Sequence, residues 1–326
     1  MALAYVPITL TNNESTATGS GFQQLLLNID MRAYEPFLND DLSNVYFSSD
    51  SAGSTVINSW LESGNSSTSA ATTWWVVTSV AANSTTTIYM QVDLTGTSHR
   101  NNTTTGEAPQ LSPTYAEYDN GANVFPYYQA WGGLSALPSG WTKTSTPTIT
   151  FGTESTTIAG ASATQQGIYQ TNPSTFPFVS EMYGELYEND GSTDFAGHLF
   201  GPSLGTGNYG LGIYTTSDYA IYSGGTASLG GGSASTSSRI YSALLSSATA
   251  SIGQINYTQF ATASGTSSSY GTEYYEVYGT TAIISLYWSR TRAYPPNGVM
   301  PSVGLGQPTN FPYINTSTNP VEVPDF

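Results

Sequence analysis

Residues 72–93 read TTWWVVTSVAANSTTTIYMQVD. Thr, Val, Trp, Ile and Tyr fit a pleated surface, and the Asn-Ser at the centre marks a turn. Thr72–Ser79 and Thr85–Asp93 are therefore two strands on a short connection. Adjacent rings such as Trp74 and Trp75 must face opposite sides of a strand, so one belongs to a core and the other is exposed or covered. Working outward, residues 4–10 (AYVPITL) alternate, with Val6, Ile8 and Leu10 on one face. Phe22–Met31, Asn44–Ser49 and Thr55–Leu61 complete six strands, with a loop or short helix over 34–43. Short strands at this spacing have a sandwich rhythm.

Residues 96–113 (GTSHRNNTTTGEAPQLSP) lack periodicity and read as a linker or long loop. Strand patterns resume at 124–130, 146–151, 155–159, 167–170, 178–187, 209–214, 219–222, 238–245, 251–260, 273–278 and 281–290. So many strands need two stacked sheets. Gly201–Gly212 and Gly224–Gly232 read as connecting turns, without phosphate-loop spacing. Residues 308–326 form a proline-rich extended arm. The fold class is all-β: a sandwich over 1–95, the linker, a larger sandwich over 114–307, and the arm.

The chain has 326 residues, of which 9% are charged; 6 Lys+Arg against 22 Asp+Glu give a net charge of −16. Nucleic acid is excluded as a partner, because its affinity depends on basic side chains. The cysteine count is zero, so disulfides and thiolate metal sites are excluded. No apolar run is long enough to span a membrane as a helix. Ala2-Leu3-Ala4 fits either the tail of a cleavage site or an ordinary first strand. Lys143 is the single lysine, so a Lys–Asn isopeptide staple could form at most once.

The segments YVPITLTNNESTATGSGFQQLLLNID, NVYFSSD, VINSWLESGNSS and AANSTTTIYMQV, within residues 5–94, resemble the domain of unknown function numbered 2341. GEAPQLSPTYAEYDNGANVFPYY and SLYWSRTRAYPPNGVMPSV resemble parts of large surface proteins of acidophilic archaea that carry it. The resemblance implies a secreted all-β protein, with a jelly-roll or immunoglobulin-like sandwich followed by a concanavalin-like or laminin-G-like one. It implies neither an activity nor catalytic residues.

Sandwich glycosidases need two carboxylates about 5–10 Å apart. Glu181 and Glu185 share a strand face but stand roughly 13 Å apart at about 3.3 Å per residue, and Glu273 and Glu276 point to opposite faces. No enzyme is expected. His99 falls in the loop and His198 in a turn, neither with a partner at metal spacing. Calcium is the only metal with a place, near Asp190 and Asp194 in Glu188–Asp194; an Asx-rich hairpin turn is the simpler reading, and no cofactor is expected. Asn-x-Ser/Thr sequons stand at Asn13, Asn65, Asn83, Asn101, Asn102, Asn256 and Asn315. Trp74-Trp75, Tyr127-Tyr128, Trp131, Trp141, Tyr274-Tyr275 and Tyr287-Trp288 are aromatic stripes for packing, a sugar or a neighbouring subunit.

The expected function is structural: an extracellular subunit of a cell-surface filament or coat, a homopolymer assembled by strand or arm exchange. Candidate subunit contacts are Val6, Ile8, Leu10, Phe311, Tyr313, Val321, Val323 and Phe326. The alternative is a lectin-like adhesin that binds cell-surface glycans.

Overall fold

The computed structural model describes residues 3–144, 146–171, 174–187, 194–203, 209–215, 218–230, 235–247, 250–265 and 270–312. The protein is nearly all β and falls into two compact units, residues 1–124 with 295–326, and residues 125–294.

The first unit contains β1 (Ala4–Asn12), β2 (Phe22–Ile29), β3 (Val45–Ser48), β4 (Ser59–Ser63), β5 (Thr72–Thr78), β6 (Ser84–Val92) and β7 (Thr105–Glu107). A returning strand, Ser302–Leu305, joins them from the end of the chain. One four-stranded sheet runs returning strand–β1–β6–β3 and the other β2–β5–β4–β7. Val6, Ile8 and Leu10 meet Leu26, Trp74 and Val76 of the second sheet in one core. The alternation in β1 thus has its cause in burial on one face. Those three side chains have zero exposure and β1 is paired on both sides within the chain. Pro7 carries no N–H to donate. Beyond Leu305, Gly306 N still donates to Pro7 O at 2.7 Å, and two-way bonding resumes where Tyr5 and Thr309 exchange bonds of 3.1 and 2.8 Å.

The expected boundaries differ from these units. Within 96–113, Thr105–Glu107 pairs in parallel with Ser59–Leu61, so the stretch is part of the first unit's sheet. A strand of three residues is too short to show alternation. Residues 114–124 and 295–307 also belong to the first unit. At the start of the expected arm, Phe311 packs its ring on Tyr34 and Phe37, at 5.5 and 5.3 Å between centroids. Tyr313, Val321, Val323 and Phe326 lie outside the described residues.

The second unit begins with β8 (Tyr127–Ala130), β9 (Thr142–Lys143), β10 (Thr148–Phe151), β11 (Thr156–Ala159), β12 (Ser162–Thr171) and β13 (Phe178–Tyr187). The chain continues through β14 (Phe195–Gly201), β15 (Tyr209–Thr215), β16 (Asp218–Ser223), β17 (Thr226–Gly230) and β18 (Arg239–Ser247). Last come β19 (Ala250–Ile255), β20 (Thr258–Ser264), β21 (Thr272–Gly279) and β22 (Ile283–Ala293). An eight-stranded sheet runs β10–β11–β22–β13–β18–β19–β20, with β8 also on β22. The facing sheet has seven strands in the order β17–β16–β15–β14–β21–β12–β9. Phe178, Met182 and Leu186 of the first meet Ala196, Phe200, Leu211 and Tyr275 of the second in a common core.

Two expectations about strands change. Residues 251–260 form two strands, with Asn256 and Tyr257 in the left-handed conformation at φ 49° and 66°. The glycine-rich turns contain β14's end, β15's start and β17, so glycine here lies in strands as well as between them.

Candidate functional site

Glu181 projects from the outer face of β13 and is fully buried. Arg290 Nε donates to its Oε2 at 2.7 Å, Arg292 Nε to its Oε1 at 3.1 Å, and Ser242 Oγ to Oε1 at 3.1 Å. Burial pushes this carboxyl up, but Arg292 and Arg290 outweigh it and hold it below the usual carboxylate range. Arg290 also stacks its guanidinium over Phe125 and Trp288, 4.4 Å from each ring centre. Glu185, half-buried, is pushed up by desolvation, with a bond from Ser238 acting against it. Glu181 is a counter-ion here, so the pair does not make an acid and a nucleophile.

Inside the sandwich, His198 lies on β14, which corrects its expected place in a turn. Its Nε2 meets Glu273 Oε1 at 2.8 Å, while Nδ1 faces Ser180 Oγ at 3.4 Å. Gln170 Nε2 donates to Glu273 Oε2 at 2.7 Å and to Tyr127 Oη at 2.8 Å; Trp141 Nε1 donates to the same phenol at 3.2 Å. The membership suggests a hydrolytic triad, but Ser180, His198 and Glu273 are buried between the sheets. Among the described residues Ser180 is 2% exposed. The network satisfies polar groups at the end of an aromatic stack in which Tyr275 lies 4.4 Å from His198 and 5.3 Å from Trp141.

The outer face of the seven-stranded sheet has another character. Tyr275 and Val277 point into the core, so Tyr274, Glu276 and Tyr278 point outward. Register brings Gly167, Glu276, Gly197, Gly212 and Ala220 into one row across β12, β21, β14, β15 and β16. At about 4.8 Å per strand the row spans roughly 19 Å. Tyr169, Tyr274, Leu199, Gly210 and Tyr222 form the row on one side; Tyr278 and Phe195 begin the row on the other.

The glycines have a specific use. A Cβ on Gly197 would stand 2.6 Å from the Phe195 ring, and one on Gly212 would stand 2.5 Å from it. The ring therefore rests directly on both strands, where any larger residue would lift it. Tyr222 meets it edge-on at 6.2 Å. Phe195 is half-buried and Tyr169 is 37% exposed, so rings remain presented at this face. Tyr274 is fully buried and its Oη has no hydrogen-bond partner among the described residues. Burial first, and the Glu276 charge second, push that phenol far above its ordinary range, so it stays a hydroxyl.

Of the calcium candidates, Asp190 lies outside the described residues. Asp194 Oδ2 accepts from Thr281 N and Oγ1, both at 2.7 Å, and ties a turn. Among the described residues no group of three His, Cys, Asp or Glu could hold a metal ion. His99 pairs with Asp93 at 3.0 Å and packs against Tyr46. Asn13, Asn83, Asn102 and Asn256 are exposed, Asn65 and Asn101 half-buried, and Asn315 outside the described residues. No described helix is long and apolar enough to cross a membrane. Sequence reasoning missed the glycine row; the signal was the period-two spacing in Tyr-Gly-Leu-Gly-Ile, 209–213.

No family model matches the chain, that of the domain numbered 2341 included. "Uncharacterized protein 562" of Sulfolobus islandicus rod-shaped virus 1 is 38% identical over 126 residues, 37% of this chain and 21% of that protein. The chain thus matches about a fifth of that relative's length. The apo Crh5 transglycosylase superposes with TM-score 0.39 and 11% identity, covering 52% of this chain and 85% of its own. The legume lectin-like domain from Entamoeba histolytica gives 0.36 and 8%, covering 50% and 95%. The carbohydrate-binding module CBM66 from Bacillus subtilis gives 0.34 and 12%, covering 47% and 95%. Likenesses this distant leave the activities with those proteins.

Proposed function

We propose that the chain is an extracellular, lectin-like protein that binds a neutral glycan across the outer face of its seven-stranded sheet. The seating of Phe195 on Gly197 and Gly212 supports this reading above all other features. A ring whose far end rests over two glycines, with side chains removed from beneath it, offers an apolar surface on which a sugar could stack. Tyr169 supplies a second, exposed ring at the rim. The charge of −16 disfavours acidic polysaccharides through long-range repulsion. The filament reading drew on β1 and the arm. β1 is fully paired within the chain, and 308–312 lie on their own unit.

Affinity for a panel of neutral and acidic polysaccharides, measured on the whole chain, tests the proposal. Binding should favour neutral chains, and Phe195→Ala should weaken it about tenfold, or ~1.4 kcal/mol. Tyr169→Ala should act in the same direction, with the fold intact by circular dichroism. Unchanged affinity in both variants, or ordered polymers without sugar binding, would reject it.

A further inference from the structure

The six described sequons are not equivalent. Asn101 is the hub of a turn: its Oδ1 accepts from Thr103 N, Thr103 Oγ1 and Thr104 N at 2.9, 2.6 and 2.7 Å. Its Nδ2 donates to His99 O at 2.8 Å. Both ends of that amide are in use, and a substituent on Nδ2 would replace one of its two N–H groups and crowd a half-buried loop. Asn65 Nδ2 likewise faces Leu111 O, at 3.5 Å, from a half-buried position. Asn102, one residue beyond the hub, is exposed, and its side chain makes no hydrogen bond among the described residues.

The same holds for Asn13 and Asn83, which the fold brings together. Asn12 and Ser84 are the last pair of the β1–β6 ladder, and Asn83 N donates to Glu14 O at 3.0 Å. Two sequons 70 positions apart thus share one end of the first unit. Asn256 is exposed; its Oδ1 accepts from Ile240 N at 3.0 Å, and its Nδ2 makes no hydrogen bond among the described residues. Asn83 and Asn256 adopt φ of 48° and 49° at the tips of their turns, a conformation asparagine tolerates.

We propose that Asn13, Asn83, Asn102 and Asn256 carry N-linked glycans, while Asn65 and Asn101 stay bare. In the transfer, Nδ2 attacks C1 of a sugar phosphate or diphosphate donor. The N–C1 bond forms as the C1–O bond to phosphate breaks; the phosphate leaves with the electron pair, and the Nδ2 proton passes to a base of the transferring enzyme. The accessible amide and the solvent-filled space above it decide which sequon accepts. The assignment stands apart from the sugar-binding reading, since none of these asparagines lies on the seven-stranded sheet.

Mass spectrometry of peptides from the chain purified from its native source tests this directly. The expected spectrum has sugar mass at the four exposed asparagines and none at Asn65 or Asn101. Asn102→Gln, made in the same source, should lose one glycan and gain none at Asn101, whose own sequon survives the change. A bare asparagine at any of the four, or sugar at Asn65 or Asn101, overturns the assignment.

Discussion

At the scale of single residues, Glu181 commits two of the chain's six cationic side chains to one carboxylate. Removing one member of a buried charge cluster strands the others. Glu181→Gln should therefore cost about 3–5 kcal/mol in urea unfolding at neutral pH. Because Arg292 and Arg290 depress this carboxyl in the folded state, its stabilisation is present above the ordinary carboxylate value. It is lost as pH falls through the lowered one. The gap between parent and variant should narrow on acidification, and a gap that widens would contradict the ion-pair account. Alternation in 178–187 was enough to place Glu181 and Glu185 on one face. Its arginine partners stand 109 and 111 positions away, and no local pattern reveals a pairing across that distance.

At the scale of elements, β14 and β15 show why glycine was misread. Read locally, Gly201–Gly212 is punctuation, because glycine most often serves a turn. In the sheet, Gly197 and Gly212 are opposed across two strands and make room for Phe195. Gly212→Ala should destabilise the second unit by about 1–3 kcal/mol, the usual cost of overpacking. Most of that cost should vanish when Phe195→Ala is already present, since the clash is with that ring. A double-mutant cycle with additive effects would show that the Ala196 carbonyl, 3.0 Å from the same added carbon, sets the cost instead. The strands rich in Val, Thr and aromatics were legible because their pattern is local. β7, with three residues, and β17, between glycines, were not.

At the scale of the whole molecule, the chain leaves the first unit after Val124 and re-enters it at Pro295. The returning strand completes the sheet beside β1, Gln24 Nε2 donates to Pro301 O at 3.0 Å, and Phe311 closes on Tyr34 and Phe37. Cutting the chain after Tyr294 should therefore lower the first unit's melting temperature and raise hydrogen exchange in β1, while the core of the second unit keeps its protection. Unchanged exchange in β1 would contradict this. Composition made the all-β class legible, but this re-entry depends on pairing between Ile8 and Leu305. No reading of consecutive residues exposes a contact across nearly the whole chain.

The re-entry also sets an order of events on the ribosome. Residues 125–294, a stretch of 170 residues, emerge between the two parts of the first unit. At roughly 5–20 residues per second that interval lasts about 9–34 s. The later-made unit can complete its sheets while the earlier one still waits for its last strand. Throughout that wait one flank of β1 offers unsatisfied backbone groups to any passing strand. Nascent chains held close together on one messenger would meet at that flank, so slower synthesis lengthens the exposure during which they could mispair.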